Sequence, residues 1–170
     1  MRMGFFSRMQ RMMKNTPPTG GITVVAPVSG EVVEIEKVPD VVFSRKIIGD
    51  GIAIDPSGDT VYAPIDGTIG KIFESNHAFS IESNLGLELF VHFGIDTVEL
   101  RGNGFERIAQ EGQKVKAGDP ILKFDLDYLK EHAKSVLTPL VIANMEDVKE
   151  LSKADGEAVG GQTPALQVFL

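Results

Sequence analysis

A repeated ten-residue pattern limits the folds open to this chain more than any other feature of its sequence. The run Ala26–Ile35 (APVSGEVVEI) aligns without gaps to Ala63–Ile72 (APIDGTIGKI). In each copy, Ala-Pro-x-x-Gly favours a tight turn because proline fixes φ and glycine permits a positive φ, and an alternating strand then begins. Two matching strand-turn-strand units predict a β-sandwich with pseudo-twofold character.

Beyond Gly20 the remaining sequence also has the pattern of a β protein. Short β-branched runs alternate with Gly, Pro, Asn and Asp, as expected for antiparallel strands. Strands are predicted at 22–26, 31–38, 60–63, 68–73, 79–82, 87–92 and 120–124, and short helices at 105–109, 126–136 and 145–151. A chain of 170 residues that is 42% hydrophobic can close one core. We therefore predict an all-β fold: an antiparallel β-sandwich with an internal strand-turn-strand duplication and a few short helices, in a single domain at 20–170.

Residues 1–19 are predicted to form a basic amphipathic segment followed by a linker. They carry four basic side chains and no acidic one, and the run 15–21 (NTPPTGG) that contains their end is rich in proline and glycine. Helical spacing of their apolar residues is typical of an interfacial helix attracted to anionic lipid; these residues are Phe5, Phe6, Met9, Met12 and Met13. We expect membrane contact through residues 1–14, with a frayed basic tail as the alternative. No apolar run here has the length of a signal peptide or a membrane span.

Charge and cysteine content exclude several kinds of partner and chemistry. The net charge is −7 although the first residues are basic, so the domain itself is strongly acidic and should repel nucleic acid. The chain has no cysteine, which removes disulfides and thiolate metal sites and suits a reducing compartment. A cytoplasmic location is predicted, with a peripheral position at the inner face of the membrane if residues 1–14 bind lipid.

Three histidines are the only side chains suited to nucleophilic or proton-transfer chemistry near neutral pH. His132 lies in a charged helical stretch and is expected to be a solvated surface residue. His77 and His92 lie in apolar runs, where burial disfavours the imidazolium and keeps the ring neutral and nucleophilic. If residues 79–82 and 87–92 form a hairpin, these two rings come close together.

Four segments closely resemble the glucose-specific enzyme IIA family of the bacterial phosphoenolpyruvate:sugar phosphotransferase system (PTS). They are 38–43 (VPDVVF), 49–54 (GDGIAI), 76–81 (NHAFSI) and 91–98 (VHFGIDTV). The resemblance covers residues 22–168, and the start at 4–7 (GFFS) is similar to the free-standing enterobacterial type. It implies a sandwich of the duplicated hybrid motif type.

The resemblance also implies roles for individual residues. His92 would accept a phosphoryl group from the phosphohistidine of the carrier protein HPr. His77 would stabilise the group and pass it to a cysteine of the transporter's IIB domain, and Ser75 would supply a supporting hydrogen bond where the family usually has threonine. No nucleotide, Mg²⁺ or other obligatory cofactor is implied.

A docking surface for these partners is expected around the two histidines. It is expected to consist of an apolar patch with Asp40 and Asp96 at its rim. The candidate patch residues are Val41, Val42, Phe43, Ile47, Ile48, Phe73, Phe79 and Phe90. Some of these side chains must belong to the core. The resemblance further implies regulation by phosphorylation state, through non-PTS permeases, glycerol kinase and adenylate cyclase.

Two other functions are compatible with the residues. His92 and Asp96 satisfy a His-x-x-x-Asp pattern of zinc hydrolases with a related duplicated β fold, although the additional His-x-His of that family is absent. In a milder form, His77 and His92 would bind zinc at an interface, completed by a partner carboxylate, and the metal would compete with the phosphoryl group. The remaining alternative is a non-catalytic β module with two buried histidines.

Overall fold

In the computed structural model, the described residues are 21–170, so the predicted amphipathic segment and its lipid contact lie outside them. Fourteen strands dominate this part of the chain. They are β1 Gly21–Val25, β2 Gly30–Glu34, β3 Gly51–Pro56, β4 Thr60–Tyr62, β5 Gly67–Ile72, β6 Ala78–Ser83, β7 Glu88–His92, β8 Phe105–Arg107, β9 Lys114–Val115, β10 Pro120–Phe124, β11 Thr138–Ile142, β12 Glu150–Lys153, β13 Gly156–Ala158 and β14 Pro164–Phe169. The helices are short: α1 Val41–Ser44 and α2 Leu126–His132, with 3-10 turns at Ile35–Lys37, Thr97–Leu100 and Met145–Asp147.

These strands form one large and two small antiparallel sheets. The large sheet has eight strands in the order β13-β2-β3-β11-β7-β6-β5-β9. The small sheets have three strands each, in the orders β1-β14-β12 and β4-β10-β8. The large sheet therefore divides between β11 and β7 into two halves of the same pattern, and each half is matched by one small sheet.

Reciprocal hydrogen bonds join the two copies of the repeat. The amide of Val25 donates to the carbonyl of Pro64 at 2.9 Å, and the amide of Tyr62 donates to the carbonyl of Pro27 at 2.6 Å. The next residue in each copy is Ala26 or Ala63. Its amide donates to a backbone carbonyl just before the central strand of a small sheet, β14 for Ala26 and β10 for Ala63. The predicted duplication is thus a pseudo-twofold relation that covers the described fold.

The core lies between the large sheet and the small sheets. Strand β1 alternates between half-buried and buried positions, as period-two side-chain geometry requires, with Ile22 and Val24 facing inward. The main cluster of buried apolar side chains runs from Ile22 to Val168. A second, smaller cluster, which includes Ile35, Phe43 and Ile95, lies beneath the long β2–β3 connection.

The structure has a strand at every predicted position, although the one predicted at 31–38 ends at Glu34 and continues as a 3-10 turn, and it confirms one of the predicted helices. Helix α2 begins after Asp125, whose side chain accepts a hydrogen bond from the amide of Tyr128. The helices predicted at 105–109 and 145–151 were wrong, because the first region pairs as β8 with β10 and the second contains a 3-10 turn followed by β12. Pairing with a neighbouring strand overrides the local helical pattern at both places.

No helix within residues 21–170 is both long enough and apolar enough to cross a membrane. The single domain at 20–170, with its boundary beside the linker, stays a prediction.

Candidate functional site

The β6–β7 hairpin brings His77 and His92 together, as predicted. Ala78 pairs with His92 across the two strands, and the amide of Phe93 donates to the carbonyl of His77 at 2.7 Å. The centroids of the two imidazole rings lie 4.7 Å apart, with the ring planes at 80°. The edge of one ring therefore faces the other, and two titratable groups share one small site.

One nitrogen of His92 is committed to the backbone. Its Nδ1 lies 2.7 Å from the carbonyl oxygen of Gly94. A carbonyl only accepts, so the Nδ1 of a neutral ring carries the proton and donates here, and the lone pair is on Nε2. This contact fixes the tautomer and leaves Nε2 as the nucleophilic atom.

The position of that carbonyl depends on glycine at residue 94. Gly94 has φ +70°, and a β-carbon there would lie 2.7 Å from the carbonyl oxygen of Ser135 and 2.7 Å from Cγ2 of Thr97. Thr97 is fully buried, and its hydroxyl donates to the carbonyl of Phe93 at 2.6 Å. The amide of Ile95 donates to Ser135 at 2.9 Å. The turn after β7 is therefore anchored on both sides, and it holds His92 in one orientation.

His77 is buried and unpaired. The residue is 1% exposed, and its Nδ1 makes no hydrogen bond within residues 21–170. Burial, together with the neighbouring His92, lowers the pKa of His77 from 6.5 to about 4. The ring is neutral at physiological pH, and its nitrogens can donate or accept hydrogen bonds without adding a positive charge to the site.

The pKa of His92 is also lowered, and burial is again the cause. The bond to Gly94 and the carboxylates of Asp40 and Asp96 act in the opposite direction and raise it. The side chain of Asp40 is oriented by the amide of Val42, from which it accepts at 2.9 Å at the start of α1. The predicted rim carboxylates therefore do lie near His92, on two different connections.

Aromatic side chains line the two imidazoles. The ring of Phe43 lies 5.3 Å from that of His92, and the ring of Phe73 lies 5.5 Å from that of His77. Phe90 is within 6 Å of both Phe73 and His92, at centroid distances of 5.7 and 5.9 Å. These rings explain the burial of the histidines and exclude water from one side of the site.

The predicted apolar patch forms only in part. Val41 and Ile47 are 61% and 66% exposed, while four of its members, Val42, Ile48, Phe73 and Phe90, are half-buried. Phe43 is buried beneath this surface and contacts His92. Phe79 was wrong as a docking residue, because it is 0% exposed in the main core. It faces inward on β6 with Ile81, whereas Phe90 shares the outer face of β7 with His92.

Ser75 lies half-buried in the connection that precedes His77. Its hydroxyl makes no hydrogen bond to either imidazole in the described part of the chain. The sequence does not single out two residues of the site. Gly94 lies within the 91–98 segment, where nothing local marks its carbonyl as the partner of His92. Arg107, whose guanidinium contacts the Phe73–Asn76 connection, lies in a region predicted as a helix.

The histidine pair brings two metal-ligating side chains together. No group of three or more His, Cys, Asp or Glu side chains in residues 21–170 is placed to hold a metal ion. A zinc ion would therefore need a ligand from elsewhere to complete its usual four positions.

Comparison with known proteins identifies the family. A family model for the EIIA 1 component of the phosphoenolpyruvate-dependent sugar phosphotransferase system matches residues 22–148. The chain belongs to this family. It is 56% identical over 164 residues to the PTS system glucose-specific EIIA component of Haemophilus influenzae, and this match covers 96% of the present chain and 98% of the relative.

Two further similarities extend the comparison. The chain is 48% identical over 146 residues to the PTS system N-acetylglucosamine-specific EIICBA component of Escherichia coli, covering 85% of this chain and 22% of that longer one. The solved structure of glucose permease IIA from Mycoplasma capricolum matches with a TM-score of 0.82 at 34% identity, covering 86% of this chain and 96% of that chain.

Family membership confirms the resemblance seen in the sequence, the β-sandwich class and the phosphocarrier function. This IIA component is a phosphotransferase of sugar transport that accepts a phosphoryl group on histidine and works with HPr and with IIB domains. The family assignment favours this function over the zinc hydrolase and the non-catalytic module.

Proposed function

We propose that Nε2 of His92 is the atom that accepts the phosphoryl group from phospho-HPr and that the group then passes to a cysteine of a IIB domain. One observation carries this assignment: Nδ1 of His92 is engaged by the carbonyl of Gly94 at 2.7 Å, so Nε2 holds the lone pair. The lowered pKa keeps that lone pair free of a proton at neutral pH.

The transfer is a balanced exchange between nitrogens. Nε2 of His92 attacks phosphorus as the phosphorus–nitrogen bond of phospho-HPr breaks, and the HPr histidine leaves with the electron pair. In phospho-His92 the Nδ1–H still donates to the Gly94 carbonyl, which stabilises the positive character that the ring gains. Such a reaction depends mainly on positioning and on stabilising charge spread over the phosphoryl oxygens.

His77 is the second functional histidine in this proposal. Its ring lies against His92, and its neutral state suits donation of one hydrogen bond to a phosphoryl oxygen. The buried Nδ1 without a partner is the atom that a rotated Ser75 hydroxyl would satisfy, since the two residues are close in the same connection. We retain Ser75 as a supporting hydrogen-bonding residue on that basis.

The docking surface is proposed to comprise the exposed and half-buried members of the apolar patch with the two rim carboxylates. Val41 on α1 and Ile47 just after it are both exposed, and Asp40 and Asp96 lie near His92. Apolar side chains bordered by carboxylates match a partner that presents an apolar face with basic residues around it. HPr and IIB are proposed to bind here in turn.

The sugar is proposed to be glucose, in keeping with the name of the Haemophilus relative and its nearly full-length match. Fusion of a similar segment to B and C domains in the Escherichia relative supports a IIB domain as acceptor. A cytoplasmic location follows from these partners, with a peripheral membrane position left to residues 1–14.

Regulation by phosphorylation state is proposed from the charge of the site. A phosphoryl group adds roughly two negative charges beside Asp40 and Asp96, which already act on His92. Partners of the unphosphorylated surface are then repelled, and the proposed targets in that state are non-PTS permeases and glycerol kinase. Adenylate cyclase is proposed to respond to the phosphorylated form.

Zinc is proposed as an interface ligand rather than a cofactor. Two imidazoles at 4.7 Å supply two nitrogen ligands, and a carboxylate from a partner would be the third. Zinc and the phosphoryl group would both bind Nε2 of His92. Zinc should therefore slow the transfer of the phosphoryl group from phospho-HPr to the wild type. Zinc that binds with no effect on this rate would count against the proposal.

Intact-mass analysis tests the central assignment. The protein is incubated with phosphoenolpyruvate, enzyme I and HPr, and wild type is compared with His92→Gln, His77→Gln and, as a surface control, His132→Gln. We expect one acid-labile phosphoryl group on every protein except His92→Gln. We further expect His77→Gln to accept the group and fail to deliver it to IIB. Labelling of folded His92→Gln would refute the assignment.

A further inference from the structure

The pseudo-twofold relation identifies residues that occupy equivalent places in the two halves. The amide of Phe93 bonds to the carbonyl of His77, and the amide of Ile142 bonds in the same way to the carbonyl of Asp50. Asp50 therefore occupies the place of His77. In the small sheets, Arg107 pairs with Leu122 on β10 and Lys153 pairs with Leu166 on β14, so these two basic residues are equivalent as well.

Each basic side chain extends from its small sheet to a connection of the large sheet: Lys153 to the one before β3, and Arg107 to the one before β6. In the first half, Nζ of Lys153 donates to Oδ1 of Asp50 at 2.6 Å. In the second half, the guanidinium of Arg107 contacts the connection that carries His77. A basic side chain of the small sheet thus contacts the equivalent connection in both halves. We therefore attribute this contact to the duplicated fold rather than to one surface side chain.

Arg107 makes three hydrogen bonds to this connection. Its Nε donates to Oδ1 of Asn76 at 2.9 Å, and its Nη2 donates to the carbonyl of Phe73 at 3.1 Å and to that of Ile72 at 3.4 Å. Asn76 has φ +59°, a left-handed conformation that this short polar residue tolerates. The rigid fork of guanidinium donors thus ties together both ends of the turn immediately before His77.

The turn needs such a restraint because the strand leading into it is irregular. The pairing of β5 with β6 shifts between Ile69 and Ile72. Two side chains replace the missing strand partners there: Ser80 Oγ accepts from the amide of Lys71 at 3.0 Å, and Glu111 Oε1 accepts from that of Ile72 at 3.1 Å. The ladder between the two strands is therefore interrupted beside the residues that Arg107 contacts.

Packing and backbone position hold the ring of His77. Its buried Nδ1 has no hydrogen bond within residues 21–170, so the backbone and the contacts with Phe73 and His92 set its orientation. We propose that Arg107 is a positioning residue for phosphoryl transfer: it clamps the Phe73–Asn76 turn and thereby aims His77 at the phosphoryl group on His92. This inference rests on the proposed function of His77.

The experiment separates the two transfer steps. Arg107→Gln and Arg107→Lys are compared with wild type and with Lys130→Gln, a control that removes an exposed positive charge from α2. Labelling from phospho-HPr and delivery from purified phospho-IIA to IIB are timed separately, and the histidine ring protons are titrated by NMR. Thermal unfolding establishes that each variant is folded.

We expect Arg107→Gln to slow delivery to IIB by about tenfold, because a displacement of the order of 1 Å costs that much or more in a positioned reaction. Labelling by phospho-HPr should stay within about twofold of wild type, and the His77 resonances should shift. Arg107→Lys should fall in between, since lysine keeps the charge and loses the fork.

Three results would overturn the inference: delivery unchanged in Arg107→Gln, equal slowing of both steps, or loss in Arg107→Gln fully restored by lysine. Equal slowing would mean that Arg107 acts on docking, and full rescue by lysine would mean that its charge alone matters. Failure of the underlying function is distinct, because it would appear as labelling of His92→Gln or as normal delivery by His77→Gln.

Discussion

The buried, neutral state of His77 makes the stability of this protein depend on pH in a way that one substitution should remove. The pKa of His77 falls from 6.5 to about 4 in the folded protein. Between these values the unfolded chain binds a proton that the folded chain does not, so stability decreases as the pH falls from 6.5 toward 4. Above 6.5 the penalty is absent.

The size of the effect follows from the two pKa values. At about pH 4.5, nearly all unfolded chains and only a minority of folded ones carry the His77 proton, which costs roughly 2 to 3 kcal/mol of stability relative to about pH 7.5. His77→Gln cannot take up that proton. We therefore expect the free energy of unfolding to fall by roughly 2 to 3 kcal/mol less in this variant than in wild type over the same range.

Urea unfolding of both proteins at several pH values measures this difference. Acidic side chains titrate in both proteins, so their contribution largely cancels when the two curves are subtracted. His132→Gln, changed at an exposed position, is the matched control and should follow wild type. Parallel curves for wild type and His77→Gln would refute the claim that His77 is held neutral by burial.

The remaining predictions concern the turn after β7 and the docking surface. Gly94→Ala should destabilise the protein by about 2 kcal/mol or more, because φ is +70° and the new methyl group meets the Ser135 carbonyl and Thr97; a Tm within error of wild type would contradict this. Ile47→Asp should weaken HPr binding in calorimetry by about tenfold without lowering the Tm, since Ile47 is 66% exposed. Val159→Asp, at another exposed apolar position, is its control, and equal weakening by both would count against the patch.

Much of the fold was accessible from local sequence signals. The repeated Ala-Pro-x-x-Gly turns and the period-two runs depend on backbone preferences of neighbouring residues, and they located the strands and the duplication. The hairpin that joins His77 to His92 was predictable for the same reason, because only Asn84–Leu87 separates its two strands.

The errors come from contacts between distant parts of the chain. Arg107 is held in β8 by pairing with Leu122, and its contacts lie more than thirty residues earlier, so the local pattern 105–109 suggested a helix. Phe79 is different, because the local pattern does indicate its position. On β6, Phe79 and Ile81 face the core and Ser80 faces outward. An aromatic residue close to a histidine in sequence therefore need not lie on the same face of the sheet.

The two halves related by the pseudo-twofold axis differ in the residues that they place at the site. Where the second half has His77 and His92, the first half has Asp50 and Val141, so it holds no imidazole pair of its own. Its long connection instead crosses to the other half, where Phe43 covers His92 and Asp40 and Val41 border it. Of the two units, one thus supplies both imidazoles, and the other supplies side chains that cover and border them. Neither unit alone is expected to carry a phosphoryl group between proteins.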